Sequence, residues 1–227
     1  MKGILYGIGV GPGDPELLTV KAVRLIRNAD VIAVPHKEKT RCFALRIASN
    51  AVPEIDKKPI LAIDMPMTRD EKIRAQAYEA AADVLIRELD AGRTVVFLTL
   101  GDPTIYSTYG YVHTRVRSRG YDARLVPGVP SFCAASAALG ETLCEDREAL
   151  HILPGGADAK NALRLPGTKV FMKGEISLLK AAAAELHQPV KAVECCGTAQ
   201  QSIYADISDV PEDASYYTVL IAKERQI

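Results

Sequence analysis

The run RTVVFLTL (93–100) is apolar on both alternating sets of positions, broken only by threonine after its first residue. A half-buried strand would alternate apolar and polar residues, so a run with no polar face belongs to a strand covered on both sides. Such strands occur in parallel sheets, which need crossover helices, and the surrounding sequence supplies them. ILYGIGV (4–10) reads as a strand and PELLTVKAVRLIRNA (15–29) as a helix, with Leu18, Ala22, Leu25, Ile26 and Ala29 on one face. DVIAVP (30–35) and PILAID (59–64) read as further strands. Helical spacing recurs over 41–51, 70–90 and 107–118, and ARLVPG (123–128) follows as a strand. The expectation is an α/β chain whose N-terminal part is a parallel sheet with helices on both faces.

The rhythm changes near residue 127. ALHILPG (149–155), TKVFMKG (168–174), KAVECCG (191–197) and SYYTVLIAKE (215–224) read as strands, SLLKAAAAELH (177–187) as a helix, and GGADAKNALRLPG as a polar loop or short helix. This suggests two α/β domains, 1–127 and 128–227, the second built on a mixed sheet, with a cleft between them. No internal repeat or low-complexity segment is present.

Charge limits the partners. Lys plus Arg and Asp plus Glu are 28 each, a net charge of zero, whereas nucleic-acid or membrane-surface binding asks for a summed basic field. No apolar run approaches the ~18 residues of a membrane span, and the N-terminal stretch reads as a first strand rather than a signal peptide. Five cysteines (42, 133, 144, 195, 196) lack framework spacing, so the expectation is reduced thiols in the cytoplasm. Cys195 and Cys196 read as small buried side chains, and the histidines (36, 113, 151, 187) show no ligand spacing, so no metal site is expected.

The loop after the first strand, GIGVGPGDPE (7–16), poses the chemical question. A dinucleotide fingerprint needs GxGxxG. Counting from Gly7 puts Pro12 at the third glycine position, and counting from Gly9 puts Asp14 there; no Gly-Lys-Ser/Thr of a P-loop follows. Asp14-Pro15-Glu16 reads instead as a helix start, the carboxylate as N-cap and proline at the first helical position. An N-cap carboxylate occupies the amides a phosphate would use and repels pyrophosphate. The loop is either a glycine-rich turn joining strand to helix or a close approach to a ligand without phosphate.

Two more loops have the same placement. TLGDPTIYST (99–108) follows the buried strand, putting Gly101 and Asp102 beyond a strand's carboxyl end, where ligands of open parallel sheets bind; Asp102 either receives a ligand cation or caps the next helix. VPGVPSF (126–132) follows the next strand, with Ser131 as N-cap, ligand partner or both. Together the three loops describe a binding rim.

GVGPGDPELLT, LGDPTIYST and VPGVPSF, in this order and spacing, resemble the tetrapyrrole (corrin/porphyrin) methyltransferase family, and the resemblance continues through KVFMKG, ECCG and YYTVLIAKE. The Ser107-Thr108 pair resembles the branch that methylates carbon 20 of precorrin-2 or cobalt-factor II in cobalamin (vitamin B12) biosynthesis. The resemblance implies a homodimeric enzyme of two α/β domains with S-adenosylmethionine bound between them. Cofactor contacts carried over from the family are Pro12, Leu100, Gly101, Asp102, Ile105, Tyr106, Pro130, Ser131, Lys173 and Gly197. Lys173 stands where siroheme-branch relatives carry methionine, and Pro35 where that branch carries an aspartate proposed as proton acceptor. Gly11, Gly13, Asp14, Lys37 and Arg41 are the expected substrate contacts, the two cations either meeting the macrocycle's carboxylates or forming a solvated surface run.

The implied chemistry is direct displacement at a sulfonium methyl, which needs alignment and no nucleophilic side chain; S-adenosylhomocysteine is the product. The departing proton goes to Tyr106, Tyr109, Asp14 or water. Methylation of another corrin carbon, or a non-catalytic tetrapyrrole carrier, are the alternatives.

Overall fold

Nine strands and α-helices follow one another from Ile4 to Val126, and their order explains the alternation of the sequence. The computed structural model describes residues 1–173 and 175–224; Gly174, the end of the expected strand 168–174, lies outside the described residues. The chain divides into two units, Met1–Pro130 and Ser131–Ile227.

The first unit holds β1 (Ile4–Gly9), α1 (Val20–Asn28), β2 (Val31–Val34), α2 (Phe43–Ala51), β3 (Ile60–Ala62), α3 (Glu71–Asp90), β4 (Val95–Thr99), α4 (Tyr109–Ser118) and β5 (Asp122–Val126). Its five strands lie in the order β3-β2-β4-β1-β5 and every pairing is parallel. All five residues of β4 are buried, as the unbroken apolar run requires. Val96 and Leu98 join Ala22, Ile26, Leu45 and Ala48 beneath α1 and α2. Val95 and Phe97 point the other way, to Leu85 and Leu89 of α3 and Val112 and Val116 of α4. Each such side chain contributes about 1.5–3 kcal/mol on burial, so two separate apolar layers hold β4 in place.

The helix expected over 15–29 is divided. Asp14 accepts from Glu16 N at 2.8 Å, but the turn it starts is a three-residue 3-10 helix, Pro15–Leu17. Leu18 is extended, and Thr19 restarts the chain as N-cap of α1, its Oγ1 accepting from Ala22 N at 3.1 Å. Two capping residues five positions apart each satisfy their own orphan amides, and a helix cannot run through the second. α3 begins as its sequence suggests, with Asp70 accepting from Lys72 N (2.8 Å) and Ile73 N (3.2 Å). α4 begins two residues later than expected, because Ser107 is held in the preceding loop.

The second unit holds α5 (Ser131–Leu139), β6 (Leu150–Leu153), α6 (Ala159–Leu163), β7 (Thr168–Met172), α7 (Ile176–Leu186), β8 (Lys191–Glu194), β9 (Ser202–Tyr204) and β10 (Thr218–Ala222). Its sheet runs β6-β7-β10-β8-β9, parallel between β6 and β7 and antiparallel elsewhere. This is the expected mixed sheet. Phe171, Ala192, Leu220 and Ala222 pack with Leu163, Leu179, Ala182 and Ala183 to form its core. The segment 155–167 resolves as the short-helix alternative, with Asp158 capping α6 through Asn161 N at 3.1 Å. No helix among the described residues is long and apolar enough to cross a membrane.

Candidate active site

β1, β4 and β5 are neighbours in the sheet, so the loops leaving their carboxyl ends start side by side. Those loops are stitched together by backbone. Val10 N donates to Thr99 O at 3.0 Å, Gly11 N to Gly101 O at 3.3 Å, and Gly101 N to Gly11 O at 2.8 Å. Gly11 and Gly101 thus form an antiparallel bridge, both at positive φ (75° and 66°), a conformation that favours glycine. The third loop closes on the same point. A Cβ on Gly9 would sit 2.8 Å from Gly128 N and collide with Gly101 O; one on Gly128 would sit 2.8 Å from Gly9 C and meet the same oxygen. The glycines at 9 and 128 therefore serve first to let the backbones touch, while Gly101 supplies the positive φ of the bridge.

Asp102 is 8% exposed and lies at that junction. Its Oδ1 accepts from Thr104 N at 2.8 Å and from Thr104 Oγ1, and its Oδ2 accepts from Gly128 N at 2.9 Å. The carboxylate does not cap α4; it shapes its own turn and holds the third loop. Farther along, Thr99 Oγ1 and Ser107 Oγ lie 3.0 Å apart, and Ser107 Oγ accepts from Tyr109 N at 3.2 Å. The Ser107 hydroxyl ties the end of β4 to the start of α4, a role the sequence reading missed. Thr104 was missed as well, although an Asp-Pro-Thr run is a recognisable side-chain-to-backbone turn.

The remaining first-unit candidates fall into three groups. Pro12 and Gly13 are buried in the first loop, as is Gly11, whose N–H and C=O both face Gly101, while Asp14 is half-buried with Oδ1 on Glu16 N. Leu100, Ile105 and Pro130 are half-buried, and Tyr106 is 50% exposed with φ 47°. An aromatic residue held in the left-handed region stores strain of about 1–3 kcal/mol. Lys37 and Arg41 lie in the loop after β2, which neighbours β4. Lys37 Nζ pairs with Asp64 at 2.9 Å and Arg41 Nε with Glu38 at 2.9 Å, all four side chains more than half exposed. Exposed pairs of this kind are worth ~0–1 kcal/mol, so either cation can turn to an incoming carboxylate at little cost.

Tyr109 is changed most by the structure. It is fully buried, and its ring fills the space where a Gly7 side chain would be. Burial pushes its phenol far above the ordinary range, which removes it as a proton acceptor at neutral pH. Its hydroxyl lies 3.4 Å from His113 Nδ1.

Three candidates belong to the second unit. Ser131 opens α5. Lys173 follows β7 at φ 63°, its ammonium 4.7 Å from the centre of the Tyr216 ring. Gly197 follows β8 at φ 77° and donates its N–H to Gln201 Oε1 at 2.7 Å. Cys196 is buried, and Cys195 is half-buried at φ 48°.

Comparison with known proteins gives a consistent pattern. The family model for tetrapyrrole (corrin/porphyrin) methylases matches residues 4–211. The cobalamin biosynthesis protein CobIJ of Mycobacterium tuberculosis is 39% identical over 160 residues, covering 68% of this chain but only 31% of its own length. The chain thus spans about a third of that relative. The probable cobalt-precorrin-2 C(20)-methyltransferase of Methanocaldococcus jannaschii is 36% identical, covering 74% of this chain and 71% of its own. The precorrin-2 C(20)-methyltransferase of a Sinorhizobium species is 31% identical over 96% of this chain and 94% of its own. In fold, the chain is similar to Thermus thermophilus uroporphyrin-III C-methyl transferase solved with S-adenosyl homocysteine, with a TM-score of 0.72 and 24% identity over 98% of each chain.

Proposed function

The chain belongs to the tetrapyrrole (corrin/porphyrin) methylases, and from that premise we propose that it transfers a methyl group from S-adenosylmethionine to carbon 20 of precorrin-2 or cobalt-factor II in cobalamin biosynthesis. The observation that carries the substrate is that two relatives, each matched over more than two thirds of both chains, bear C(20)-methyltransferase names. The rim supports the donor. Asp14 already occupies an amide of the first turn, and Asp102 occupies the third loop's amide. A phosphate would meet two carboxylates where it needs N–H groups, whereas S-adenosylmethionine brings no phosphate and carries a cation.

The donor supplies a methyl group on a positively charged sulfur, which is a leaving group without further activation. The protein's part is therefore alignment, which reaches about 7–11 kcal/mol when the reacting atoms are held in near-attack geometry. Leu100, Ile105 and Pro130 offer apolar surface at the rim over Pro12, Tyr106 an aromatic face, and Gly101 and Asp102 their backbone. Ser131, Lys173 and Gly197 are the proposed contacts from the second unit. Gly11 and Gly13 let the first loop lie close to the macrocycle, with Asp14 beside it, and Lys37 and Arg41 exchange Asp64 and Glu38 for its carboxylates. With its phenol raised by burial, Tyr109 does not take the proton released after transfer.

The proposal extends to a cytoplasmic homodimer. The five cysteines are all free, which suits a reducing compartment, and sedimentation tests the dimer. Calorimetry with S-adenosylhomocysteine tests the donor. Saturable binding is expected; its absence would leave a tetrapyrrole carrier in place of a methyltransferase.

A further inference from the structure

We propose that the Asp102 side chain is a positioning group, its carboxylate acting on the methyl donor through the backbone it fastens and not by touching it. The proposal rests on the methyltransferase reading and gives one of its residues a different role. Three donors converge on one carboxylate: Thr104 N and Thr104 Oγ1 on Oδ1, and Gly128 N on Oδ2. The last bond joins residues 26 positions apart. It is the side-chain link between the second and third loops, while the first loop is joined to the second by the Gly11–Gly101 bridge. Asp102 is 8% exposed, so water does not substitute readily for its bonds. Close packing at Gly9 and Gly128 lets the three backbones touch but does not orient them, because glycine has no side chain to lock. The carboxylate supplies the missing direction: it fixes Gly128, two residues before Pro130, relative to Gly101.

A carboxylate is the group this position needs. It accepts on both oxygens, whereas an amide has one accepting oxygen and one donating nitrogen. In Asp102→Asn, whichever way the amide is turned, a nitrogen faces a backbone N–H. One side of the clamp opens while the side chain keeps its shape.

The test compares wild type and Asp102→Asn in binding three ligands: S-adenosylhomocysteine, methylthioadenosine, which lacks the amino-acid portion, and adenosine. Because Asp102 acts through the loop backbone, the variant loses affinity for all three by the same factor, roughly tenfold to a hundredfold for one buried amide left unpaired. The Gly128 amide also loses its protection from hydrogen exchange. Equal affinity in variant and wild type would overturn the proposal. So would a loss confined to the ligand with the amino-acid portion, which would mean that Asp102 touches that group directly. If wild type binds none of the three, the methyltransferase reading fails and this proposal fails with it. Thr104→Val carries the test if Asp102→Asn does not fold. Removing its hydroxyl takes one donor from the same carboxylate, and a uniform severalfold loss is expected; no loss would overturn the proposal.

Discussion

Gly9 and Gly128 show how one atom can govern a loop rim. At both, an added methyl would meet backbone, with no flexible side-chain end to give way. Gly128→Ala should therefore separate the second and third loops and destabilise the protein by about 1–3 kcal/mol, the usual size of an overpacking penalty. Gly110 in α4 is the control, since a Cβ there meets nothing within 4 Å. Gly110→Ala should stabilise by about 0.5–1 kcal/mol through helix propensity. Urea denaturation of the two variants measures both, and the signs should be opposite. Tyr109 allows a second residue-level prediction. Its buried phenol is pushed away from ionisation, so Tyr109→Phe should leave kcat and its pH profile unchanged while costing about 1 kcal/mol of stability. A lost alkaline or neutral limb in that profile would restore Tyr109 as a base.

α4 makes a pH-dependent contribution. Burial first, and the charge of Arg117 one turn on, lower the His113 pKa from its ordinary value of 6.5. A histidine whose folded pKa is depressed binds its proton more tightly when unfolded. Its neutral-form contribution is complete above the ordinary value and is lost as pH falls below 6.5 toward the folded value. An NMR titration should find the His113 midpoint below 6.5, and Arg117→Ala should raise it only part of the way, because burial remains. A midpoint at or above the ordinary value would contradict the packing described for this helix. The elements themselves were largely legible. β4 could be read from its unbroken apolar run, and α3 from its helical spacing. α1 was misjudged because Leu18 stays in the core whether or not the helix includes it, so periodicity hid the restart at Thr19. β9 was missed because Ser-Ile-Tyr is three residues long and carries no alternation to detect.

At the scale of the whole chain, fold class was readable because one parallel sheet and one mixed sheet impose different rhythms on the sequence. Strand order was not, since β10 enters between β7 and β8 through pairings that no local pattern encodes. The rim was legible in position but not in wiring. Three Gly-Pro loops marked where the strands end, while the partners of Asp102 and Ser107 depend on which strands lie side by side. The family match spans residues 4–211 and so takes in most of both units. The central claim is methyl transfer to carbon 20, and mass spectrometry tests it most directly. The protein is incubated with S-adenosylmethionine and, separately, precorrin-2 and cobalt-factor II, and the product is mapped by NMR with a carbon-13-labelled methyl donor. The account predicts that at least one of the two gains a single methyl group, at carbon 20. A methyl on any other ring carbon, or no transfer to either substrate by protein that binds the donor, would contradict it.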